Sequence, residues 1–404
     1  MTRTNHPLQD VVLVEAVRTP FGRARPDGLY AHTRADDLAV VTTRELLRRH
    51  PGLPPDRIDD VVLAAASQVG DQGLNLGRTV ALLAGLPSTV PGFAVDRLCA
   101  GAMTAMTTSA GAIAVGAQQL VLAGGVEHMG HHVMGAHAEP NPRFVTERIV
   151  DPSALVMGAT AENLHDHDPG LTRARADAWG VRSQARYAAA VGAGDIGPEI
   201  VPVATRDPVR GWGLARDDEP PRPGTTLEQI RDLPTPFRTG GRVTAATSAP
   251  LTDGAGIALL AHADVASELG LPVAMRMVSY AVAGVAPELM GTGPVPATRR
   301  ALALSGLTID DLGLIEINEA FAVQVLAFLD AFGIDDEDPR VNPSGGAIAV
   351  GHPLAASGVR LAAQLANAFA RRPDVRYGAT TMCVGLGMGM TIIWENPHHD
   401  GGRR

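Results

Sequence analysis

The feature that most constrains the fold is an alternation of short, β-rich apolar runs with longer Ala-rich stretches of helical character. This is the order of elements in α/β domains built on mixed or parallel sheets. Residues 11–17 and 61–66 read as strands and 36–49 as a helix; 101–115 reads as a helix of small residues leading into a strand at 119–124. From about 127 to 247 the pattern loosens into His, Pro, Arg and Asp, with one clear helix at 172–191 and Pro-rich loops at 202–236. Long irregular segments in compact enzymes tend to be binding loops, so this stretch is read as an insertion on a core domain. The alternation resumes at 254–263 and continues with a helix at 295–305, a strand at 312–317 and a helix at 320–332. A Gly-rich turn at 344–351 precedes a helix at 355–370, and strands at 379–383 and 388–394 close the chain.

Composition removes several classes of function. The 404 residues are 45% hydrophobic, enough for a large core, and a prior of about 150 residues per domain gives two or three domains. A net charge of -9 argues against a nucleic-acid surface and against binding to acidic lipid. The first ten residues are polar, and no apolar stretch reaches the ~20 residues of a membrane span, so a soluble, cytoplasmic protein is expected. The sequence holds no lysine, and all 34 residues counted as Lys+Arg are arginine. A P-loop, Schiff-base aldolase chemistry and covalent anchoring of PLP all need a lysine amine and are excluded. Two cysteines, Cys99 and Cys383, are too few for a disulfide framework or a thiolate-rich metal site.

Each half of the chain carries one reactive-type residue on a turn that enters an Ala-rich helix, Cys99 in the first and His352 in the second, which hints at internal duplication. Cys99 sits at a strand-to-helix junction, where amides and the helix dipole stabilise a thiolate and can move a thiol from about 8.5 toward neutrality. The alternative is a small buried hydrophobe. Cys383 is followed by Gly385, Gly387 and Gly389. A dinucleotide fingerprint would follow the first strand of a βαβ unit, whereas these glycines lead toward a terminal strand and suit a backbone that approaches a ligand and offers it an N–H. His352, held between Gly351 and Pro353, has a ring suited to general base work. Asn318 and Glu319 follow a strand; either reaches a site there, or Asn318 caps the next helix. His128, His131, His132 and His137 lack metal-ligand spacing, and a solvated or hydrogen-bonded cluster is favoured over a metal site. Met157 and Met290 read as core filler or as flexible apolar walls for a thioester.

Four segments, 95–101, 318–322, 345–358 and 383–389, together resemble the motif set of the thiolase family in content and order. The likeness extends to 15–22, 124–129, 157–162 and 290–297, and so covers nearly the whole chain. The resemblance implies an α/β thiolase fold, two duplicated halves in αβαβα layers, each with a five-stranded mixed sheet, and a loop domain that binds CoA. On this basis 1–122 with 246–270 form the N-terminal half, 123–245 the inserted CoA-binding loop domain, 271–396 the C-terminal half and 397–404 a polar tail. Residue by residue, Cys99 matches the nucleophile, His352 its base, and Cys383 the thiol that protonates and deprotonates the acetyl-CoA carbon. Asn318 matches the residue that fixes a water in one oxyanion hole with His352; backbone N–H groups of Cys99 and Gly385 match the other. Met157, Arg222, Phe237, Ser248, Ala249, Met290, Ala320 and Phe321 fall at CoA-binding positions. CoA enters as a substrate, and neither a metal nor a redox cofactor is required, because the thioester is the electron sink.

Departures from the family pattern refine this. Val156 stands where several short-chain acetoacetyl-CoA thiolases carry His, and Gly385-Leu386-Gly387 resembles the bacterial degradative type. The expected activity is that of a degradative 3-ketoacyl-CoA thiolase (acetyl-CoA acyltransferase) of fatty acid β-oxidation, with condensing acetoacetyl-CoA thiolase as the alternative. A silent CoA- or lipid-binding relative ranks lower because both thiols, His352 and Asn318 are kept. A ketoacyl-ACP synthase-like enzyme ranks lower because a second Cys stands where that class has His or Asn. Ala249 replaces a serine that commonly contacts the pantetheine arm, and Met388 stands where Gln is common in the degradative group. The resemblance also implies a homodimer or homotetramer, a state in which a β-oxidation multienzyme partner can be engaged.

Overall fold

The computed structural model describes residues 7–136, 138–207, 209 and 211–400. Its twelve strands are β1 Val11–Arg18, β2 Gly22–Arg23, β3 Asp60–Ala64, β4 Phe93–Val95, β5 Leu120–His128, β6 Val203–Asp207, β7 Gly211–Ala215, β8 Thr252–His262, β9 Met275–Gly284, β10 Leu312–Ile317, β11 Tyr377–Val384 and β12 Met388–Glu395. Strands β6 and β7 form a separate antiparallel hairpin, and the rest make one sheet in the order β10-β11-β12-β9-β1-β8-β5-β3-β4, with β2 on β8. Strands β1, β3, β5 and β8 are buried almost along their whole length because both faces are covered, which is why they read as unbroken apolar runs.

The sheet repeats itself about its middle. In the N-terminal half β4 and β5 flank β3 in parallel, β8 pairs antiparallel to β5, and β1 antiparallel to β8. In the C-terminal half β11 runs parallel to β10, β12 antiparallel to β11, and β9 antiparallel to β12. The counterpart of β4 is a single parallel bridge, Ile315 to Val341, so this half has four strands and a bridge where five strands were expected. Within the sheet, two residue pairs between β1 and β9 connect the halves. The helices Gly101–Ala114 and Ser357–Arg371 follow β4 and the Val341 bridge respectively, so the turns bearing Cys99 and His352 occupy equivalent topological positions.

Core composition gives the layering. One cluster mixes Met103 and Met106 of the first helix with Val359, Leu361 and Leu365 of the second, sandwiched by strand residues of both halves such as Leu13, Val121, Met382 and Ile392. The outer face of the first half packs on helices Ala35–Arg49 and Leu76–Ala84. That of the second packs on Pro294–Ser305 and Ala322–Phe332. The result is αβαβα, with the two central helices as the middle layer.

Some expectations shift. The strand expected at 119–124 runs on to His128, past the 122/123 boundary, because Gly124 and Gly125 lie within it rather than end it. A Cβ on Gly124 would sit 2.1 Å from the Gly256 carbonyl oxygen, and one on Gly125 2.2 Å from that of Ala355, so both serve close approach. Strand β9 and the helices Leu76–Ala84 and Met157–His167 were not anticipated, and the Pro-rich stretch holds the β6–β7 hairpin. The segment after β5 is tied back by Arg18, which is fully buried: its Nε donates to Glu199 at 2.7 Å, and its Nη1 and Nη2 fork to Asp218 at 2.7 and 2.9 Å. Such a group holds its neighbours in register because losing one partner strands the remaining charges in a dry interior.

Candidate active site

The chain reaches Cys99 through a strained turn. Leu98 has φ +46°, a left-handed conformation costing a branched residue about 1–2 kcal/mol, and its N–H is held by the Asp96 carboxylate at 2.7 Å. A turn of 3-10 helix, Leu98–Ala100, then passes into the long helix Gly101–Ala114. Cys99 is half-buried, and its thiol faces its own N–H and that of Gly385. Burial pushes this thiol up to about 11; the Gly385 N–H opposes the shift and the Glu127 carboxylate adds to it. The drop toward neutrality expected from the helix entrance is therefore not found, because desolvation outweighs the amides.

Cys383 lies near the end of β11, fully buried; burial raises its pKa, and the nearby Cys99 raises it further. The glycines after it form the hairpin from β11 to β12, with Leu386 at φ +62° and Gly387 at +74°. A side chain on Gly387 would strike the Val285 carbonyl oxygen at 2.5 Å, and one on Gly389 the backbone of Gly293 at 2.0 Å. The spacing thus reflects a tight hairpin, and the nucleotide-turn reading falls. Gly385 faces the site: a Cβ there would lie 3.1 Å from Leu98 Cδ1 and 3.7 Å from Met157 Sδ.

His352 follows Gly351, whose φ of +98° and close approach to Thr252, 2.3 Å from a virtual Cβ, admit only glycine. The ring is buried, with Nδ1 2.6 Å from Ser357 Oγ. Ser357 has one hydroxyl proton and donates it to the Pro353 carbonyl at 3.0 Å, so its oxygen accepts from Nδ1–H, and Nε2 carries the lone pair. Nε2 itself makes no hydrogen bond among the described residues. Burial, with the Arg360 charge second, pulls this imidazole down to about 3. Asn318 is also buried; its Oδ1 accepts from Arg360 at 3.1 Å and its Nδ2 has no partner among the described residues. It does not cap the next helix, whose N-cap is Phe321 without a side-chain bond. Glu319 turns the other way and accepts from Trp179, Ser183, Asn342 and the Ile348 N–H, bracing the loop before His352.

Small residues bring the two turns together. A Cβ on Gly101 would lie 2.7 Å from Ala64 Cβ and 3.1 Å from Ala355 Cβ, and one on Gly358 2.8 Å from the Met103 nitrogen. Buried Glu127 accepts from the N–H groups of Ala66 at 2.9 Å and Ala355 at 3.4 Å, linking the end of β3 to the His352 turn.

Beside the thiols an apolar wall forms. Phe237 lies over the first turn of helix Met157–His167, where a Cβ on Gly158 would strike its ring at 2.1 Å, and meets Phe321 edge-on at 6.3 Å. Ser248 bridges to Phe321, and the Ala249 N–H donates to the Ala320 carbonyl at 3.0 Å. The Ser248 hydroxyl donates to Thr244 at 2.8 Å, so its proton is already committed. Met290 is buried in the core of the second half, and Arg222 is exposed on the loop after β7, its N–H bonded to Gln184. The histidines are hydrogen-bonded: His131 and His132 share Asp71, at 3.1 and 2.5 Å, and His128 meets the Tyr30 carbonyl at 3.0 Å. The acidic partner comes from far away in the chain; His137 lies outside the described residues. Among the described residues no group of three or more His, Cys, Asp or Glu is placed to hold a metal, and no helix is long and apolar enough to cross a membrane.

Ser357, Arg360 and Glu127 were not singled out from sequence. The signal for Arg360 was present: a charge in the first turn of helix Ser357–Arg371, flanked by Val359 and Leu361 on a buried stretch.

Comparison with known proteins agrees with this architecture. The thiolase N-terminal domain matches residues 11–264 and the thiolase C-terminal domain residues 271–396. The chain belongs to the thiolase family. It is 43% identical to the 3-ketoacyl-CoA thiolase of Saccharophagus degradans, covering 96% of this chain and 98% of that one. It is 42% identical to the 3-oxoadipyl-CoA/3-oxo-5,6-dehydrosuberyl-CoA thiolase of Escherichia coli, covering 96% and 100%. The crystal structure of human mitochondrial 3-ketoacyl-CoA thiolase superposes with a TM-score of 0.87 at 33% identity, covering 97% and 100%.

A thiol near 11 and an imidazole near 3 are both neutral across the physiological range. The thiolate is the reactive form and appears only as pH approaches the raised pKa. Alkylation of Cys99 by iodoacetamide in the substrate-free protein should therefore climb through the alkaline range with no plateau below about pH 10. A plateau near pH 7 would show a preformed thiolate–imidazolium pair instead.

Proposed function

We propose that the chain is a 3-ketoacyl-CoA thiolase, cleaving a 3-ketoacyl-CoA with CoA to give acetyl-CoA and a shortened acyl-CoA through an acyl-Cys99 intermediate. The observation that carries this reading is two thiols gathered at the Gly385 turn, with two buried nitrogens, His352 Nε2 and Asn318 Nδ2, that have no partner among the described residues. His352 Nε2 takes the Cys99 proton, and the thiolate attacks the 3-keto carbon. The oxygen on that carbon is received by the N–H groups of Cys99 and Gly385. The C2–C3 bond then breaks, and the charge moves onto the thioester oxygen of the departing acetyl-CoA, where His352 Nε2–H and Asn318, through a water it holds, face it. Cys383, kept protonated by burial, gives its proton to the carbon. In the second half Cys383 takes the proton of incoming CoA, CoA attacks the acyl group, and the released Cys99 recovers its proton from His352. The thioester serves as electron sink, so the proposal needs no metal or redox cofactor.

The pantetheine arm is assigned to the wall of Met157, Phe237, Ser248, Ala249, Ala320 and Phe321, with Met290 behind it and Arg222 toward the nucleotide end. Residues 123–245 are taken as the CoA-binding insertion, 1–122 with 246–270 and 271–396 as the two halves, and 397–404 as the tail. Two functional thiols suit a reducing compartment, so the enzyme is placed in the cytoplasm, working in β-oxidation. The short edge strand β4 offers unpaired backbone for a second copy, so a homodimer or a tetramer of such dimers is proposed, open to a β-oxidation multienzyme partner. Light scattering should give at least the dimer mass at micromolar concentration; a monomer would refute this.

The two thiols are separable by experiment. Transfer of acetyl from acetyl-CoA to Cys99, read by intact-protein mass and peptide mapping, needs no proton at the α-carbon and should survive Cys383→Ala. Cleavage by that variant should fall by about 10²–10⁴, the usual worth of a positioned acid. In Cys99→Ala both steps should vanish. An adduct on Cys383 and none on Cys99, or full cleavage by Cys383→Ala, would refute the assignment.

A further inference from the structure

Helix Ser357–Arg371 carries a guanidinium where nothing in its composition calls for one. Arg360 is fully buried; Nη1 donates to Gln364 Oε1 at 2.7 Å, Nη2 to Asn318 Oδ1 at 3.1 Å, and Nε has no partner among the described residues. It stands one turn beyond Ser357, which fixes the His352 ring, and its charge reaches His352. Arg360 is thus a shared neighbour of two groups that each hold a nitrogen without a partner among the described residues.

An asparagine amide has two ends of nearly equal size and opposite polarity. Presented by its oxygen, Asn318 would repel a developing oxyanion; presented by its nitrogen, it donates, directly or through a water. The backbone does not choose between them, since the Asn318 N–H is bound to Thr381 in either case. Arginine has donors and no acceptor, so it bonds only the oxygen end, and a flipped amide would set NH2 against the guanidinium.

We propose that Arg360 is a positioning residue for carbon–carbon bond cleavage, holding the Asn318 amide so that Nδ2 is its free end toward the oxyanion beside His352. This rests on the thiolase reading above. It deepens that reading by making one oxyanion site depend on a side chain that touches no substrate, while the other site, made by the Cys99 and Gly385 backbone, does not.

The test uses that asymmetry in the full-length protein. In Arg360→Met, acetyl transfer from acetyl-CoA to Cys99 should persist, while kcat for cleavage of a short 3-ketoacyl-CoA should fall on the order of 10²-fold, the scale of losing one oxyanion donor, with KM little changed. In an Asn318→Ala background the same substitution should add no further loss, because the two act as one unit. Arg360→Lys, which keeps the charge but loses the fork, covers the case in which Arg360→Met does not fold, and should show the same selective loss to a smaller degree. Gln364→Leu, which removes the other acceptor of Arg360, should leave the ratio of the two steps unchanged. Equal loss of both steps in Arg360→Lys, undiminished cleavage, or losses that multiply with Asn318→Ala would overturn the proposal. Failure of the unmodified chain to acylate Cys99 or cleave the substrate would instead refute the underlying thiolase reading.

Discussion

The structure depends on one close contact, between the turns that launch the two central helices. Gly101 lies against Ala355, Gly358 against the Met103 backbone, and Gly125 under the Ala355 carbonyl. Because the halves repeat one topology, these turns are equivalent, and packing their helices in one layer brings the turn that bears Cys99 against the turn that bears His352. Within the sheet the halves meet through two pairs between β1 and β9, the Ser248–Phe321 bridge and the Ala249 N–H to Ala320 bond add backbone contact outside it, and the shared helix layer adds side-chain packing. Any side chain larger than hydrogen at Gly101 or Gly358 must push the turns apart.

That packing also sets the electrostatics. The site is built from buried groups, and burial dominates every shift in it: up for both thiols, down for His352. Neutral side chains avoid the large desolvation cost of buried charges. In the proposed reaction thiolate and imidazolium form together, and their mutual attraction in a water-poor site would offset part of the cost of making each. Buried charges that do persist are held by several partners, as Arg18 is by Glu199 and Asp218 and Arg360 by Gln364 and Asn318.

Much of this was legible in sequence where local chemistry and fold agree. The strand at 312–317, the helix at 36–49 and the two reactive turns were read from apolar runs, small residues and glycine. The failures are instructive. Gly124 and Gly125 looked like a strand end, but they mark where Gly256 and Ala355 press on the strand from outside, which a single segment does not reveal. Strand β9 alternates buried and half-buried positions and was passed over. The helix entrance at Cys99 suggested a low thiol pKa, while depth of burial, a property of the whole fold, set the opposite direction. Arg360 and Glu127 act through contacts between elements distant in sequence, so their types alone did not mark them, while Ser357 meets His352 only five residues away and was overlooked.

In the proposed reaction a thiol of the first half is activated by an imidazole of the second. This step is tested most directly by kcat/KM for thiolysis of a short 3-ketoacyl-CoA by His352→Ala at pH 7, beside the unmodified protein. The account requires a fall of about 10²–10⁴, the contribution of a positioned general base, with acylation of Cys99 reduced as well. Near-full kcat/KM in that variant would contradict it.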